Sequence, residues 1–247
     1  MKSAIIGGTG VDTSFPIEMS QRIVQTQYGE VELFEGVGEN SDLVFLPRHS
    51  VGHSVPPHLI NYRANIAALK RLGVEQAIGM YAVGSITGNL PPGSWGLVDQ
   101  FIDMTGGARE HTLFTGGESG VKHVPMVQPY SLALRKSIAG AAIGQGKRDI
   151  MLKGTYVCTN GPRLETPAEI RMFRILGGDY VGMTAATETV LAAEAGLPFA
   201  AVAFSINWAA GLDEEGVSFL EDETIERITK EIVGVCVAAL RHPVVSV

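Results

Sequence analysis

Cysteine is scarce in this chain: 247 residues hold two, Cys158 and Cys236. Two thiols in apolar surroundings cannot build a disulfide framework, so both read as reduced core residues of a cytosolic protein. Positive charge is also in short supply. Nineteen Lys and Arg stand against 26 Asp and Glu, for a net charge of −7. That balance excludes a nucleic-acid binder that works by broad phosphate neutralisation, and any phosphate held here must be held by a local site. No apolar run is long and charge-free enough to span a bilayer. The opening Met1-Lys-Ser-Ala-Ile-Ile-Gly-Gly8 is too short an apolar stretch for a signal peptide. Internal repeats and low-complexity linkers are missing as well.

What is present is enough apolar matter, 45% of residues, for one full core. We read residues 1–247 as a single domain. Buried strands are expected at Ala4–Ile6, Leu43–Leu46, Ala77–Tyr81 and Phe199–Phe204. Helices are expected at Tyr62–Leu72, Ser131–Ile143, Pro167–Leu176, Glu188–Ala195 and Glu221–Leu240, the last with Ser218 and Glu221 as a capping box. Alternation of this kind predicts an α/β fold with a mixed or mostly parallel central β-sheet flanked by helices. The Gly-rich stretch 105–120 predicts a long loop, and loops of that length are usually functional or at an interface.

Several segments carry chemistry-bearing residues. Ile5-Ile6-Gly7-Gly8-Thr9-Gly10 runs a strand into a glycine turn, where backbone and the Thr9 hydroxyl could meet an anion; such turns are as often simple strand exits. Arg48 and His49 offer donors suited to phosphate, although a surface Arg beside a turn His fits the spacing equally. His49 and His53 are four apart, but Val55-Pro56-Pro57 argues against the helix a zinc pair would need, so no metal is expected. Tyr81-Ala82-Val83-Gly84-Ser85 ends a strand in small residues whose N–H groups could face a ligand. Gly182-Met183-Thr184 leads into a helix, where Thr184 is either a cap or an anion donor. The stretch Thr159-Asn-Gly-Pro-Arg-Leu-Glu165-Thr and Asn207 supply a carboxylate and a carboxamide. The first can accept from a purine N1–H; the second can face N7 and O6 together. A first-turn helix carboxylate and an ordinary strand-end asparagine are the alternatives.

In order, GGTG, RH with a second His, AVGS, DQFID, HVPM, GPRLET and GMT resemble the motif series of the purine nucleoside phosphorylase and methylthioadenosine phosphorylase family. The resemblance covers almost the whole chain. It implies a nucleoside phosphorylase-like fold and an enzyme that uses inorganic phosphate as co-substrate, with no cofactor, to release a purine and a sugar 1-phosphate. It implies a phosphate site at Thr9, Arg48, His49, the Ala82 backbone and Thr184, and a ribose contact at Met183. His123, in Val121-Lys-His-Val-Pro-Met126, matches a histidine lent to the substrate's 5′ end by a neighbouring subunit, which implies a homotrimer. Members that cleave adenine nucleosides generally have aspartate at the positions of Asn207 and Ala209. The Asn207 and Glu165 found here match the members acting on 6-oxopurines.

The physics agrees with that match, because adenine presents a lone pair at N1 where an ionised Glu165 needs a donor. Such a polar mismatch costs roughly 1–3 kcal/mol. Leu164 stands where many relatives place phenylalanine against the base, and Ile206 where many have threonine. No histidine lies between His123 and His242 to bind a 5′-hydroxyl. Phe219 and Leu220 could instead line an apolar pocket for a 5′-methylthio group, or simply pack the start of the last helix. The resulting expectation is a cytoplasmic phosphorylase of 5′-methylthio purine nucleosides, methylthioinosine favoured, with no nucleic-acid or membrane partner. Inosine/guanosine phosphorylase and methylthioadenosine phosphorylase are the alternatives. A non-catalytic nucleoside-binding protein is the reading from a different class, and a retained phosphate site argues against it.

Overall fold

Alternating side chains along four parallel strands sort the core onto two faces of one sheet. On β1 (Ser3–Gly7), Ala4 and Ile6 point to one face and Ile5 to the other. β4 (Leu43–Pro47), β5 (Gln76–Ser85) and β10 (Phe199–Trp208) repeat the pattern in register: Ile5 lies beside Phe45 and Ile78, and Ala4 beside Val44 and Ala77. Period-two alternation buried on both sides is what covered parallel strands require. In this computed structural model the described residues are 1–8, 10, 11, 15, 17–107, 109–213 and 216–241.

Among these, ten strands make one mixed sheet, ordered β2-β3-β4-β1-β5-β9-β8-β7, with β10 paired to β5 and β6. The remaining strands are β2 (Met19–Thr26), β3 (Gly29–Gly36), β6 (Trp95–Leu97), β7 (Gln100–Asp103), β8 (Thr155–Cys158) and β9 (Tyr180–Gly182). The mixed sheet flanked by helices agrees with the α/β fold expected from sequence. None of these six strands was expected, because β6 to β9 are three or four residues long and β2 is mostly exposed.

Helices α1 (Tyr62–Arg71) and α4 (Ala185–Glu194) cover one face through Ile66, Leu69, Leu191 and Ala192. Helices α2 (Leu132–Gly144) and α5 (Asp222–Arg241) cover the other through Leu134, Ile138, Ile228 and Ile232. Each fully buried Ile or Leu contributes about 1.5–3 kcal/mol. α3 (Pro167–Ile175) packs Ile170 and Phe173 on a smaller cluster with Ile86, Val157 and Val181. Asn61 and Ser131 cap α1 and α2, and Thr166 with Glu169 forms a capping box on α3. The box expected at Ser218 is not the start of a helix: α5 begins at Asp222, so Glu221, not Ser218, precedes its first turn.

Candidate active site

The chain direction decides where the site can form. β1, β4, β5 and β10 run parallel, so their C-terminal ends open on one edge of the sheet. Ligands in open α/β sheets bind at that edge. The block β7-β8-β9 runs parallel within itself but antiparallel to β5, and meets it only at Gly84–Val181 and Ser85–Tyr180. The ends of the two blocks therefore face each other. Between them lies a cavity of about 440 Å³. Its walls include Gly8, Arg48, His49, Ala82, Gly84, Leu164, Glu165, Met183, Thr184, Asn207 and Phe219. Of the site residues expected from sequence, nine line the cavity: Arg48, His49, Ala82, Leu164, Glu165, Met183, Thr184, Asn207 and Phe219. Ile206 and Ala209, noted for their departure from relatives, line it too. Thr9 and the His53 side chain lie outside the described residues. Leu220 does not line the cavity; it packs against the α2–α5 face, and its N–H donates to the Ile206 carbonyl. His123 is exposed and is not part of the cavity wall of its own chain.

Arg48 is buried, and its use differs from the simple anion fork expected. Nε donates to Glu188 at 2.5 Å and Nη2 donates to Glu188 at 3.0 Å. Nη2 also donates to the Ile6 carbonyl at 3.4 Å, and Nη1 to the Met80 carbonyl at 3.0 Å. The bidentate edge is thus committed to a carboxylate inside the protein, and one Nη1–H remains to meet an anion. Burial opposes the Arg48 charge, but Glu188 outweighs it and raises the guanidinium pKa above its ordinary value. Tyr81 donates to the same carboxylate at 2.6 Å and lies under the guanidinium, 4.4 Å from ring centre to charge. Burial lifts the Tyr81 phenol well above its ordinary pKa, so it stays a donor.

His49 Nδ1 donates to the Val55 carbonyl at 2.8 Å, which fixes the ring. A Cβ at Gly8 would lie 2.9 Å from Arg48 Nη1 and 3.2 Å from His49 Cδ2. Glycine is thus needed for the turn to approach both side chains. Thr184 is the N-cap of α4 but makes no side-chain cap bond. It lines the cavity at the positive end of that helix.

The opposite wall carries the carboxamide and the carboxylate. β10 slips register against β5 between Ser205 and Asn207, so Ile206 is an extra residue and Asn207 stands opposite Gly84. Such a bulge re-aims a side chain at a strand end. A Cβ on Gly84 would lie 3.2 Å from Asn207 Nδ2, so a side chain there would crowd the carboxamide. Asn207 Nδ2 donates to the Trp208 carbonyl at 2.7 Å. That leaves one N–H and the Oδ1 acceptor on the carboxamide. Glu165 accepts from the Thr159 hydroxyl at 2.7 Å. Burial raises the Glu165 pKa, and the Thr159 hydrogen bond only partly offsets it. Met183 is held by Gly161, where a Cβ would come within 2.5 Å of the Met183 sulfur. Val55, Pro56, Pro57, Val217 and the exposed Phe219 make the remaining wall largely apolar.

Sequence reasoning singled out the Tyr81–Ser85 segment for its backbone but missed Glu188 and the Tyr81 hydroxyl that shares its carboxylate. The signal for Glu188 was available: it is a charge in the midst of the otherwise uncharged run Ala185-Ala-Thr-Glu-Thr-Val-Leu-Ala-Ala193, and a charge on so apolar a helix needs a buried partner.

The chain matches the family model described as the Phosphorylase superfamily over residues 2–241. It is 45% identical over 244 residues to the 6-oxopurine nucleoside phosphorylase of Pyrococcus furiosus, covering 96% of this chain and 91% of that one. It is 37% identical to a protein of Thermodesulfovibrio yellowstonii named as a probable S-methyl-5′-thioinosine phosphorylase, covering 98% and 97% of the two chains. Among solved structures, methylthioadenosine phosphorylase from Schistosoma mansoni in complex with adenine is similar with a TM-score of 0.86 at 31% identity, covering 97% of this chain and 92% of that one.

Proposed function

We propose that this chain, which belongs to the Phosphorylase superfamily, cleaves the N-glycosidic bond of 5′-methylthio purine nucleosides with inorganic phosphate, methylthioinosine being favoured. One observation carries the reading: a single cavity brings Arg48, His49 and Thr184 together with Glu165, Met183 and Asn207. The first three suit an anion. The others suit a purine nucleoside.

In the reaction the bond from the anomeric carbon to the purine breaks, and an oxygen of phosphate bonds to that carbon. Positive charge develops on the sugar, and the bound phosphate stabilises it before capturing it. The Nη1 edge of Arg48, His49, the Ala82 backbone, Thr184 and Thr9 hold the attacking anion. The bonding electrons leave with the purine, and a proton is taken up at N7. Asn207 Oδ1 accepts from that N7–H while its remaining N–H donates to O6. Ionised Glu165 accepts from N1–H, and Leu164 lies against the base. Met183 covers the sugar face. No protein nucleophile, metal or cofactor takes part, and the products are a free purine and 5-methylthioribose 1-phosphate.

The apolar wall of Val55, Pro57, Val217 and Phe219 favours a methylthio group at the 5′ end. The Pyrococcus furiosus relative named for 6-oxopurine nucleosides gives inosine and guanosine a place as second substrates. His123, exposed in the single chain, supports a homotrimer in which each copy completes its neighbour's site. The buried thiols favour a cytoplasmic enzyme. The test is purine release from methylthioinosine, methylthioadenosine and inosine, with and without phosphate, combined with light scattering. Release that is phosphate-dependent and fastest with methylthioinosine is expected, from a trimer. Equal turnover without phosphate, or a fully active monomer, contradicts the corresponding part.

A further inference from the structure

Arg109 lies in the long segment between β7 and α2, yet its side chain is 7% exposed. It reaches six oxygens. Nε donates to Asn160 Oδ1 at 2.9 Å, and Nη2 donates to the Asn160 carbonyl at 2.6 Å and the Thr159 carbonyl at 3.1 Å. Nη1 donates to the Met183 carbonyl at 2.5 Å, the Tyr62 hydroxyl at 3.1 Å and the Thr187 hydroxyl at 3.4 Å. All six acceptors are neutral. A buried cation without a carboxylate is costly, and only dense hydrogen bonding offsets that cost.

The Thr159, Asn160 and Met183 acceptors follow the neighbouring parallel strands β8 and β9, so Arg109 clamps two adjacent strand ends at one side of the cavity. Thr159, whose carbonyl Arg109 holds, donates its hydroxyl to Glu165 at 2.7 Å. Met183, whose carbonyl Arg109 also holds, lines the same cavity as Glu165. We propose that Arg109 is a positioning residue that fixes the distance between the base-reading loop and the sugar-contacting residue. This rests on the reading of Glu165 and Met183 given above. A planar guanidinium can span both segments; an ammonium on a flexible stem has three donors at one point and cannot.

The test compares wild type, Arg109→Lys and Thr159→Val by steady-state kinetics with methylthioinosine, methylthioadenosine and phosphate varied in turn. Arg109→Lys raises the nucleoside KM and lowers kcat, a combined loss of about 10- to 100-fold, the scale of a misplaced reacting geometry. It also flattens the preference between the two bases, while the phosphate KM moves less than about twofold. Thr159→Val, which cuts the link to Glu165 but leaves Arg109 in place, flattens base preference alone. In Arg109→Ala, added guanidinium restores the nucleoside KM and ammonium does not. Wild-type kinetics in Arg109→Lys, equal rises in both KM values, or unchanged base preference in Thr159→Val overturns the role. The wild-type arm separates this from the reading beneath it: no phosphate-dependent purine release in wild type overturns both.

Discussion

Replacing Glu188 with Gln tests the buried pair behind the anion site. The wild-type carboxylate takes two N–H groups of Arg48 and the hydroxyl of Tyr81 on two oxygens, and the paired side chains are 2% and 1% exposed. Gln keeps the shape but offers one acceptor. Its amide nitrogen can donate to Tyr81, which leaves one Arg48 N–H unmet and the Arg48 charge uncompensated. Breaking a buried pair in this way costs about 3–5 kcal/mol. In a chain of this size each kcal/mol moves the melting temperature by about 2–4 °C, so a fall of roughly 6–20 °C is expected without phosphate. Phosphate then becomes the counter-ion that Arg48 lacks. At a hundred times its Kd it returns about 2.7 kcal/mol, or roughly 5–11 °C. The variant therefore gains more from phosphate than wild type does, at a lower concentration, while kcat falls because Arg48 is no longer held in place. Differential scanning fluorimetry over a phosphate series, with kcat and phosphate KM, measures all three. A variant melting within about 2 °C of wild type in phosphate-free buffer refutes the reasoning.

Arg48→Ala removes the remaining Nη1–H at the anion site and should raise the phosphate KM sharply; an unchanged phosphate KM removes Arg48 from that site. Asn207→Asp replaces the amide donor with an acceptor where O6 would lie, and should cost methylthioinosine about 1–3 kcal/mol in kcat/KM while sparing methylthioadenosine. A wild type that prefers methylthioadenosine shows the base assignment to be wrong. Glu165 supplies a pH test. Its pKa is raised by burial from the ordinary 4.5, so the neutral form is the one favoured by folding, and that contribution is lost as pH rises through the raised value. Base reading runs the opposite way, because N1–H needs the carboxylate. As pH falls toward the raised pKa, kcat/KM for methylthioinosine drops before ordinary carboxylates titrate, and a protonated Glu165 can donate to adenine N1. In Glu165→Gln this pH-dependent crossover disappears.

Much of the cavity was legible because its residues lie in short local segments whose order is itself informative. Arg48-His49, Gly182-Met183-Thr184 and the stretch from Thr159 to Glu165 each place a polar group at the end of an apolar strand, and the sheet brings those ends together. What was hidden is what depends on pairing at a distance. Glu188 reaches Arg48 across 140 positions of sequence. Arg109 reaches Tyr62 and Met183 from a loop rich in glycine and polar residues, whose sequence carries no periodicity to mark a buried side chain. Leu220 illustrates the converse: one residue beyond Phe219, it turns into the core, because its N–H is drawn to the Ile206 carbonyl. The β2–β3 hairpin was missed because its outer strand presents mostly polar residues to solvent and so carries little apolar periodicity.

The extra residue at Ile206 bears on how such an enzyme can change over generations. Upstream of it, Ala200, Val202 and Phe204 keep step with the packing of α2 and α5; downstream, Asn207 follows a new phase set by Gly84. Position 207 can therefore drift between amide and acid while the upstream packing stays as it is. Position 209 has less latitude: Ala209 lines the same cavity but is 2% exposed and packs in the apolar cluster with Ile86, Val157 and Phe173. A lineage moving from 6-oxo to 6-amino purines would pass through a single change at 207 first. A second acid at 209 would meet the cavity on one side and that apolar cluster on the other, so it would need a partner in the bound base or changes among its neighbours.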